Sequence, residues 1–68
     1  MEYKFAQRLK ELRLENKLST MKLGKLIGVS DVSICRWENK VHDVKGEELV
    51  KLAQVFNVST DYLLGLED

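Results

Sequence analysis

Few side chains in this sequence are suited to covalent or metal chemistry. One cysteine, Cys35, and one histidine, His42, are too few for an internal disulfide or a zinc site. The neighbouring Glu47 and Glu48 stand where a helix is expected to begin, so we interpret them as solvated acids rather than a catalytic pair. No phosphate-binding loop of the form GxxxxGK[ST] is present. An enzyme is therefore the least favoured class, and we predict no catalytic residue, no metal and no cofactor.

Composition is that of a small folded domain. The chain has 68 residues, of which 44% are hydrophobic and 32% are charged, which argues against disorder. This length has room for only one hydrophobic core, so we predict a single domain over residues 1–68. No apolar stretch is long enough for a transmembrane span or a secretory signal. The lone cysteine is typical of a reducing cytoplasm.

Charge is distributed unevenly along a chain whose formal net charge is zero. Residues 1–45 carry ten basic and six acidic side chains, whereas residues 46–68 carry one basic and five acidic ones. A basic front and an acidic back favour a polyanion as partner. This charge asymmetry is weak evidence by itself, because the solvated faces of ordinary domains often show a similar one.

Apolar residues recur with a helical period throughout the chain. We predict five helices. They run over about Glu2–Asn16, from a cap at Ser19 to Gly28, from Asp31, capped by Ser30, to Glu38 or Asn39, over Glu47–Phe56, and from a cap at Ser59 to Gly65. Asn57 can end the fourth helix in a left-handed conformation. Residues 55–59 could form a strand but have nothing to pair with. The predicted fold class is all-α, with five short helices.

The inward faces of these helices follow from the same spacing. The predicted core residues are Phe5, Leu9 and Leu12 in the first helix, Leu23, Leu26 and Ile27 in the second, and Leu49, Leu52, Ala53 and Phe56 in the fourth. The start of the fourth helix is poorly specified, because Lys45 stands where a capping residue is expected.

The second and third helices and the turn between them, about residues 20–39, contain four linked constraints. Gly24 lies inside a helix, where glycine is unfavourable by about 1 kcal/mol relative to alanine, so we expect another helix to cross close to it. Gly28 permits the positive φ of a three-residue turn. Ile34 and Trp37 form the inward edge of the third helix, with Ile34 opposite Gly24. This arrangement is the geometry of a helix-turn-helix, which projects its second helix from the body.

The outward face of the third helix is the candidate for binding. With about 100° per residue, Val32 lies about 170° from the mean direction of Ile34 and Trp37, and Cys35 and Arg36 lie about 130° from it on either side. A valine gains nothing from facing water, but in a DNA groove its isopropyl group can pack against thymine methyls. The alternative is an ordinary isolated apolar surface residue.

Two long stretches resemble one known family. LKELRLENKLSTMKLGKLIGVSDVSICRWENK and LVKLAQVFNVSTDYLLG resemble the Cro/phage-repressor (XRE) helix-turn-helix family. GVSDVSICRWE and the glycine before EELVKLA are most similar to the amino-terminal DNA-binding domains of lambdoid phage repressors. The likeness extends over about residues 5–66 and implies the five-helix fold of those domains, with a helix-turn-helix at helices two and three.

The resemblance also implies roles for individual residues. The base-contacting positions of the family fall on Asp31, Val32, Ser33 and Arg36. The phosphate-contacting positions fall on Ser19, Thr20, Asn39 and Lys40. Arg13 and Glu38 match a pair that joins the first helix to the third and can form an arginine–carboxylate fork. This chain departs from the family at Thr20, which replaces a longer glutamine, and at Val44, which replaces a loop proline.

Three side chains of the third helix leave alternatives open. Asp31 stabilises the first turn of a helix without any DNA, or accepts a hydrogen bond from cytosine N4. Arg36 can grip guanine O6 and N7 together, or is simply solvated. Cys35 is interpreted as a small filler near the interface, with redox sensing as the alternative. His42 lies in a polar loop and is interpreted as incidental.

The sequence and the resemblance together predict a transcriptional regulator, most simply a repressor, that binds a double-stranded DNA operator. Specificity then requires a homodimer whose recognition helices lie about 34 Å apart over an inverted repeat. The apolar residues expected at the dimer interface are Tyr62, Leu63, Leu64 and Leu66. RNA polymerase is a candidate partner, because either blocking it or touching it would regulate transcription. No membrane and no small molecule are implied.

A protein-binding module, such as an antitoxin or anti-repressor, is the main alternative. The apolar end of the chain and its zero net charge favour that alternative. The expected location is cytoplasmic, in a bacterial nucleoid or a phage-infected cell. The residues are either a complete protein or the amino-terminal piece of a longer repressor.

Overall fold

The computed structural model describes residues 4–41 and 43–67. Its helices are α1 (Phe5–Glu15), α2 (Thr20–Ile27), α3 (Asp31–Glu38), α4 (Gly46–Phe56) and α5 (Thr60–Leu64). The described residues contain no strand, so the all-α prediction is confirmed. The segment 55–59, which could have been a strand, instead ends α4 and leads into α5.

Serine caps start three of the helices. The capping residues are Ser19, Ser30 and Ser59, as predicted. Each serine oxygen accepts the backbone N–H three residues later, which satisfies a donor that the helix itself leaves free. Asn57 ends α4 with a left-handed φ of 55°, also as predicted. Local sequence signals therefore set most of the boundaries.

Two helix starts differ from the prediction. Lys4 is not helical and donates its backbone N–H to the Leu64 carbonyl at the end of α5, so α1 begins at Phe5. The predicted start at Glu2 lies outside the described residues. α4 begins at Gly46, one residue early, because a Glu48 side-chain oxygen accepts the backbone N–H of Lys45 at 2.9 Å. This contact supplies half of a capping box that the sequence interpretation missed.

All five helices contribute to one core. Its buried apolar residues are Phe5, Ala6, Leu9, Leu12, Leu23, Ile27, Ile34, Trp37, Leu52, Ala53, Phe56 and Leu63. Leu49 is half-buried against this core. None of the helices in the described part of the chain combines the length and apolarity needed to cross a bilayer.

One predicted core residue is wrong. Leu26 is 51% exposed. The buried residues of α2 are Leu23, Gly24 and Ile27, and the close approach at Gly24 turns the buried face toward that glycine. Leu26 lies about 100° from Ile27 around the helix axis, on the side away from Gly24, and therefore faces solvent.

Candidate nucleic-acid interface

The turn between α2 and α3 fixes how α3 projects from the body. Gly28 ends α2 with a φ of 81°, a conformation that L side chains rarely adopt. A Cβ atom on Gly24 would lie only 2.6 Å from the Val29 carbonyl oxygen and 3.3 Å from the Asp31 backbone nitrogen. The nearest neighbours of Gly24 are thus the backbone of the turn and the start of α3, which agrees with the predicted close approach of another helix.

α3 has one buried edge and one exposed edge. Ile34 is fully buried and Trp37 is 2% exposed. The Trp37 ring lies 6.4 Å, centroid to centroid, from Phe5 in the core. On the opposite side Val32 is 61% exposed. The outer edge of α3 is accordingly open to a partner.

The other predicted base-contacting residues lie around Val32. Asp31 and Ser33 are half-buried, and Arg36 is exposed. The Ser33 hydroxyl lies 3.3 Å from the hydroxyl of the capping Ser30. Asp31 stands in the first turn of α3, where its charge is favourable without any ligand. Cys35 is exposed on the same helix.

Asp43 is a member of this site that sequence reasoning missed. Its Oδ2 atom lies 2.5 Å from Arg36 Nη2, and its Oδ1 atom accepts the indole N–H of Trp37 at 2.8 Å. Asp43 follows Arg36 by seven residues in the loop before α4. Asp43 lies outside both α3 and α4, so helical periodicity does not relate it to Arg36 and only the path of the loop reveals the contact.

The predicted phosphate-contacting residues lie at two helix ends. Ser19 is exposed and Thr20 is half-buried at the start of α2, where free backbone N–H groups favour an anion. Asn39 and Lys40 are exposed just after α3. The Asn39 side chain donates to the Cys35 carbonyl at 2.8 Å. Lys40 has a φ of 69°, so the backbone turns sharply after α3.

An arginine–carboxylate fork joins α1 to the end of α3. Arg13 Nε lies 2.7 Å from Glu38 Oε2, and Arg13 Nη2 lies 3.0 Å from Glu38 Oε1. Arg13 also donates to the Leu18 carbonyl at 2.9 Å. The hydrogen bond with Glu38 raises the pKa of Arg13 above its ordinary value, although burial acts in the opposite direction. The contribution of this raised pKa to the free energy of unfolding is therefore fully present below the ordinary arginine pKa. It is lost only as pH rises through the raised pKa of Arg13.

The predicted dimer residues at the carboxyl end do not form one exposed surface. Leu63 is fully buried in the core, so its assignment to an interface is wrong. Leu63 lies on the inner face of the five-residue helix α5, while the neighbouring Tyr62 and Leu64 are half-buried. Leu66 is 49% exposed. The Arg8 guanidinium lies 4.2 Å from the centroid of the Tyr62 ring and covers part of it.

Comparison with known proteins identifies the family to which this fold belongs. Residues 9–63 match the helix-turn-helix family model. The chain belongs to the helix-turn-helix family. The resemblance to phage-repressor-type proteins, inferred from the sequence, is confirmed by 38% identity over 58 residues to repressor protein C2 of Salmonella phage P22. That stretch is 85% of this chain and 27% of the phage protein.

The structural match is equally extensive for this helix-turn-helix chain. A crystal structure of the P22 c2 repressor in complex with a synthetic operator superposes with a TM-score of 0.87 at 35% identity, covering 93% of this chain and 96% of that one. YobD of Bacillus subtilis, an HTH-type transcriptional regulator, is 38% identical over 64 residues, which are 94% of this chain and 57% of YobD. The chain thus spans about a quarter to just over half of these two curated relatives.

One solved enzyme contains a similar helix-turn-helix unit. Hydroxypropylphosphonic acid epoxidase from S. wedmorenis matches with a TM-score of 0.81 at 26% identity, covering 93% of this chain and 34% of that one. The fold alone therefore does not decide function. The matched curated relatives, by contrast, are a repressor and transcriptional regulators.

Proposed function

We propose that this chain binds double-stranded DNA in a sequence-specific manner and regulates transcription, most simply as a repressor, by inserting α3 into the major groove. The observation that carries the proposal is the outer edge of α3, where an exposed valine, Val32, and an exposed arginine, Arg36, face solvent. The similar P22 c2 repressor was crystallised with a synthetic operator, which supports the same role for this chain.

Val32 supplies the apolar part of the readout. Val32 is 61% exposed, and it is the large apolar side chain of α3 that faces solvent. The major groove presents the thymine methyl group, which distinguishes thymine from cytosine by apolar contact. Burial of Val32 against that methyl removes both groups from water. A thymine is therefore expected in the half-site opposite Val32.

Arg36 supplies the polar part of the readout. Its guanidinium is a planar fork that matches guanine O6 and N7. Ser33 can add a weaker hydrogen bond, whereas Asp31 contacts a base only if it accepts a hydrogen bond from cytosine N4. Otherwise Asp31 serves the first turn of α3. Arg36 therefore contributes the largest share of base discrimination.

Phosphate contacts at both ends of the motif set the register. Ser19 and Thr20 present hydroxyl groups beside the free N–H groups of α2, and these donors suit a phosphate oxygen. Asn39 and Lys40 suit a second phosphate beyond the end of α3. Such contacts fix the orientation of α3 without selecting a sequence, and they make the affinity fall as salt rises.

A homodimer completes the recognition of an operator. One copy of α3 spans only a few base pairs, so two copies about 34 Å apart over an inverted repeat double the specific contacts. Leu66, with the half-buried Tyr62 and Leu64, supplies apolar area for the contact between copies. A bound dimer represses by blocking RNA polymerase, or activates by touching it.

A selection from randomised duplexes tests this proposal. We expect an enriched inverted repeat, with a thymine and a guanine in each half-site at positions that Val32→Ala and Arg36→Ala respectively relax. Recovery of only random sequences would contradict sequence-specific binding. Enrichment of a single asymmetric site would contradict the dimer and leave the readout by α3 in place.

A protein-binding module is the second candidate. The exposed Met21 and Leu26 on α2, at 56% and 51% exposure, favour it, because neither side chain is used in the proposed readout. Retention on random duplex DNA at low salt, with release as salt rises, distinguishes the candidates. A protein-binding module that does not bind DNA would not be retained on a column of immobilised random duplex at any salt concentration.

A further inference from the structure

The loop residue Asp43 connects the recognition side chain Arg36 to the core. One carboxylate oxygen accepts the indole N–H of Trp37 at 2.8 Å, and the other lies 2.5 Å from Arg36 Nη2. Trp37 is only 2% exposed and is held among core residues. The carboxylate is therefore anchored by a rigid donor and presents its second oxygen in a fixed direction.

This anchoring restricts Arg36 without burying it. The Arg36 side chain remains 55% exposed while one of its N–H groups is engaged. An arginine carries five N–H donors in a planar fork, so the remaining donors are free to contact a ligand. Because the direction of the guanidinium is already set, less rotamer freedom is lost when it binds.

The contact also changes what Arg36 can bind. A free arginine can reach a phosphate on any sequence, and that attraction contributes only to nonspecific affinity. With Asp43 beside it, the local charge of the pair is neutral, and the carboxylate repels phosphate oxygens. Hydrogen bonding with a base edge, which depends on geometry, is retained.

We propose that Asp43 is a positioning residue that holds Arg36 for a base edge and keeps it from the phosphate backbone. The inference rests on the DNA-binding function proposed above and deepens it. Asp43 determines specificity through Arg36 rather than by touching DNA. Its removal should therefore lower the preference for the operator while raising affinity for unrelated duplexes.

The test compares the wild-type chain with Asp43→Asn, Arg36→Ala and the double variant. Each is titrated with duplexes that carry all four base pairs at the position where Arg36→Ala relaxes selection. Asparagine keeps an acceptor for the Trp37 indole but removes the charge that holds Arg36. We expect Asp43→Asn to lower discrimination at that position about threefold, in line with an exposed ion pair, and to raise affinity for a random duplex. In the Arg36→Ala background it should change discrimination no further.

A matched control removes the same charge elsewhere. Glu11→Gln neutralises an exposed carboxylate on α1 that is hydrogen-bonded to Gln7, and it should leave discrimination unchanged. Unchanged discrimination in Asp43→Asn, or an equal loss with and without Arg36, would overturn the inference. The wild-type protein gives an independent measurement by ¹⁵N relaxation, in which the Arg36 Nε should be more ordered than that of a freely solvated arginine, although less ordered than that of the nearly buried Arg13. A disordered Arg36 Nε would also overturn the inference, even if Asp43→Asn did not fold.

Two results distinguish failure of the DNA-binding function from failure of the positioning role of Asp43. A wild-type protein with no preference among duplexes overturns the DNA-reading function and this inference with it. A preference that Arg36→Ala removes but Asp43→Asn leaves intact overturns the positioning role alone.

Discussion

Two arginine–carboxylate pairs each have one member on α3, at opposite faces of the helix, and they differ in burial. Arg13 and Glu38 have side chains that are 13% and 8% exposed, whereas those of Arg36 and Asp43 are 55% and 45% exposed. The buried pair forms a two-bond fork between α1 and α3. The exposed pair has one bond between the side chains and leaves donors free. Under the proposed function, the same chemistry stabilises the fold on the inner face and serves DNA binding on the outer one.

This comparison divides α3 into two sets of residues. The inner set couples α3 to the body, so its substitutions should change the free energy of unfolding. The outer set faces solvent, so its substitutions should change DNA selection and leave stability nearly constant. A substitution that violates this division would show that the two faces are coupled.

The largest expected effect is on the inner face. Glu38→Ala leaves Arg13 nearly buried without its carboxylate partner, and breaking such a pair costs about 3–5 kcal/mol of unfolding free energy. Urea denaturation followed by the fluorescence of Trp37, the single tryptophan, measures the loss. The double variant Arg13→Met/Glu38→Leu removes both charges and should recover part of it. An unchanged urea midpoint for Glu38→Ala would show that the fork does not stabilise the fold.

The next effect is on the outer face. Arg36→Ala should cost about 1–3 kcal/mol of discrimination at one base position per half-site, because a bidentate contact with guanine is lost. Its urea midpoint should match that of the wild-type chain. Competition titrations with single-substituted operators measure the discrimination. An equal loss of affinity for all sequences would assign Arg36 to phosphate instead.

A smaller effect is expected where α2 meets the turn. Gly24→Ala places a Cβ 2.6 Å from the Val29 carbonyl oxygen, and the forced shift should outweigh the better helix propensity of alanine by about 1–2 kcal/mol. The control Gly46→Ala has no atom within 4 Å of the added Cβ and no positive φ, so it should be neutral or slightly stabilising. Thermal unfolding of both variants compares them. A Gly24→Ala variant as stable as Gly46→Ala would mean that the turn yields easily.

The smallest effect concerns the phosphate contacts. Lys40→Ala should weaken binding to every duplex alike and reduce the slope of log affinity against log salt by about 0.9, the value for one phosphate contact. Lys51→Ala removes the same charge from the exposed side of α4 and should leave the slope unchanged. A loss confined to the operator would instead show that Lys40 contributes to base selection.

The sequence was most informative where structure depends on nearby residues. The capping serines, the left-handed Asn57 and Gly28, and the buried edge of α3 all follow from spacing and conformational preference within a few residues. The wrong predictions have tertiary causes. Leu26 is turned outward by the close approach at Gly24, and Leu63 is drawn into the core by the packing of α5.

By itself, the amino-acid sequence determined that residues 4–41 and 43–67 form five helices and that Val32 and Arg36 lie opposite Ile34 and Trp37. Helical periodicity and capping are local, so they are legible without coordinates. Only the tertiary structure decided that Asp43 joins Arg36 to the Trp37 indole. The path of the loop before α4 brings Asp43 back against α3, and no periodic pattern in the sequence encodes that path.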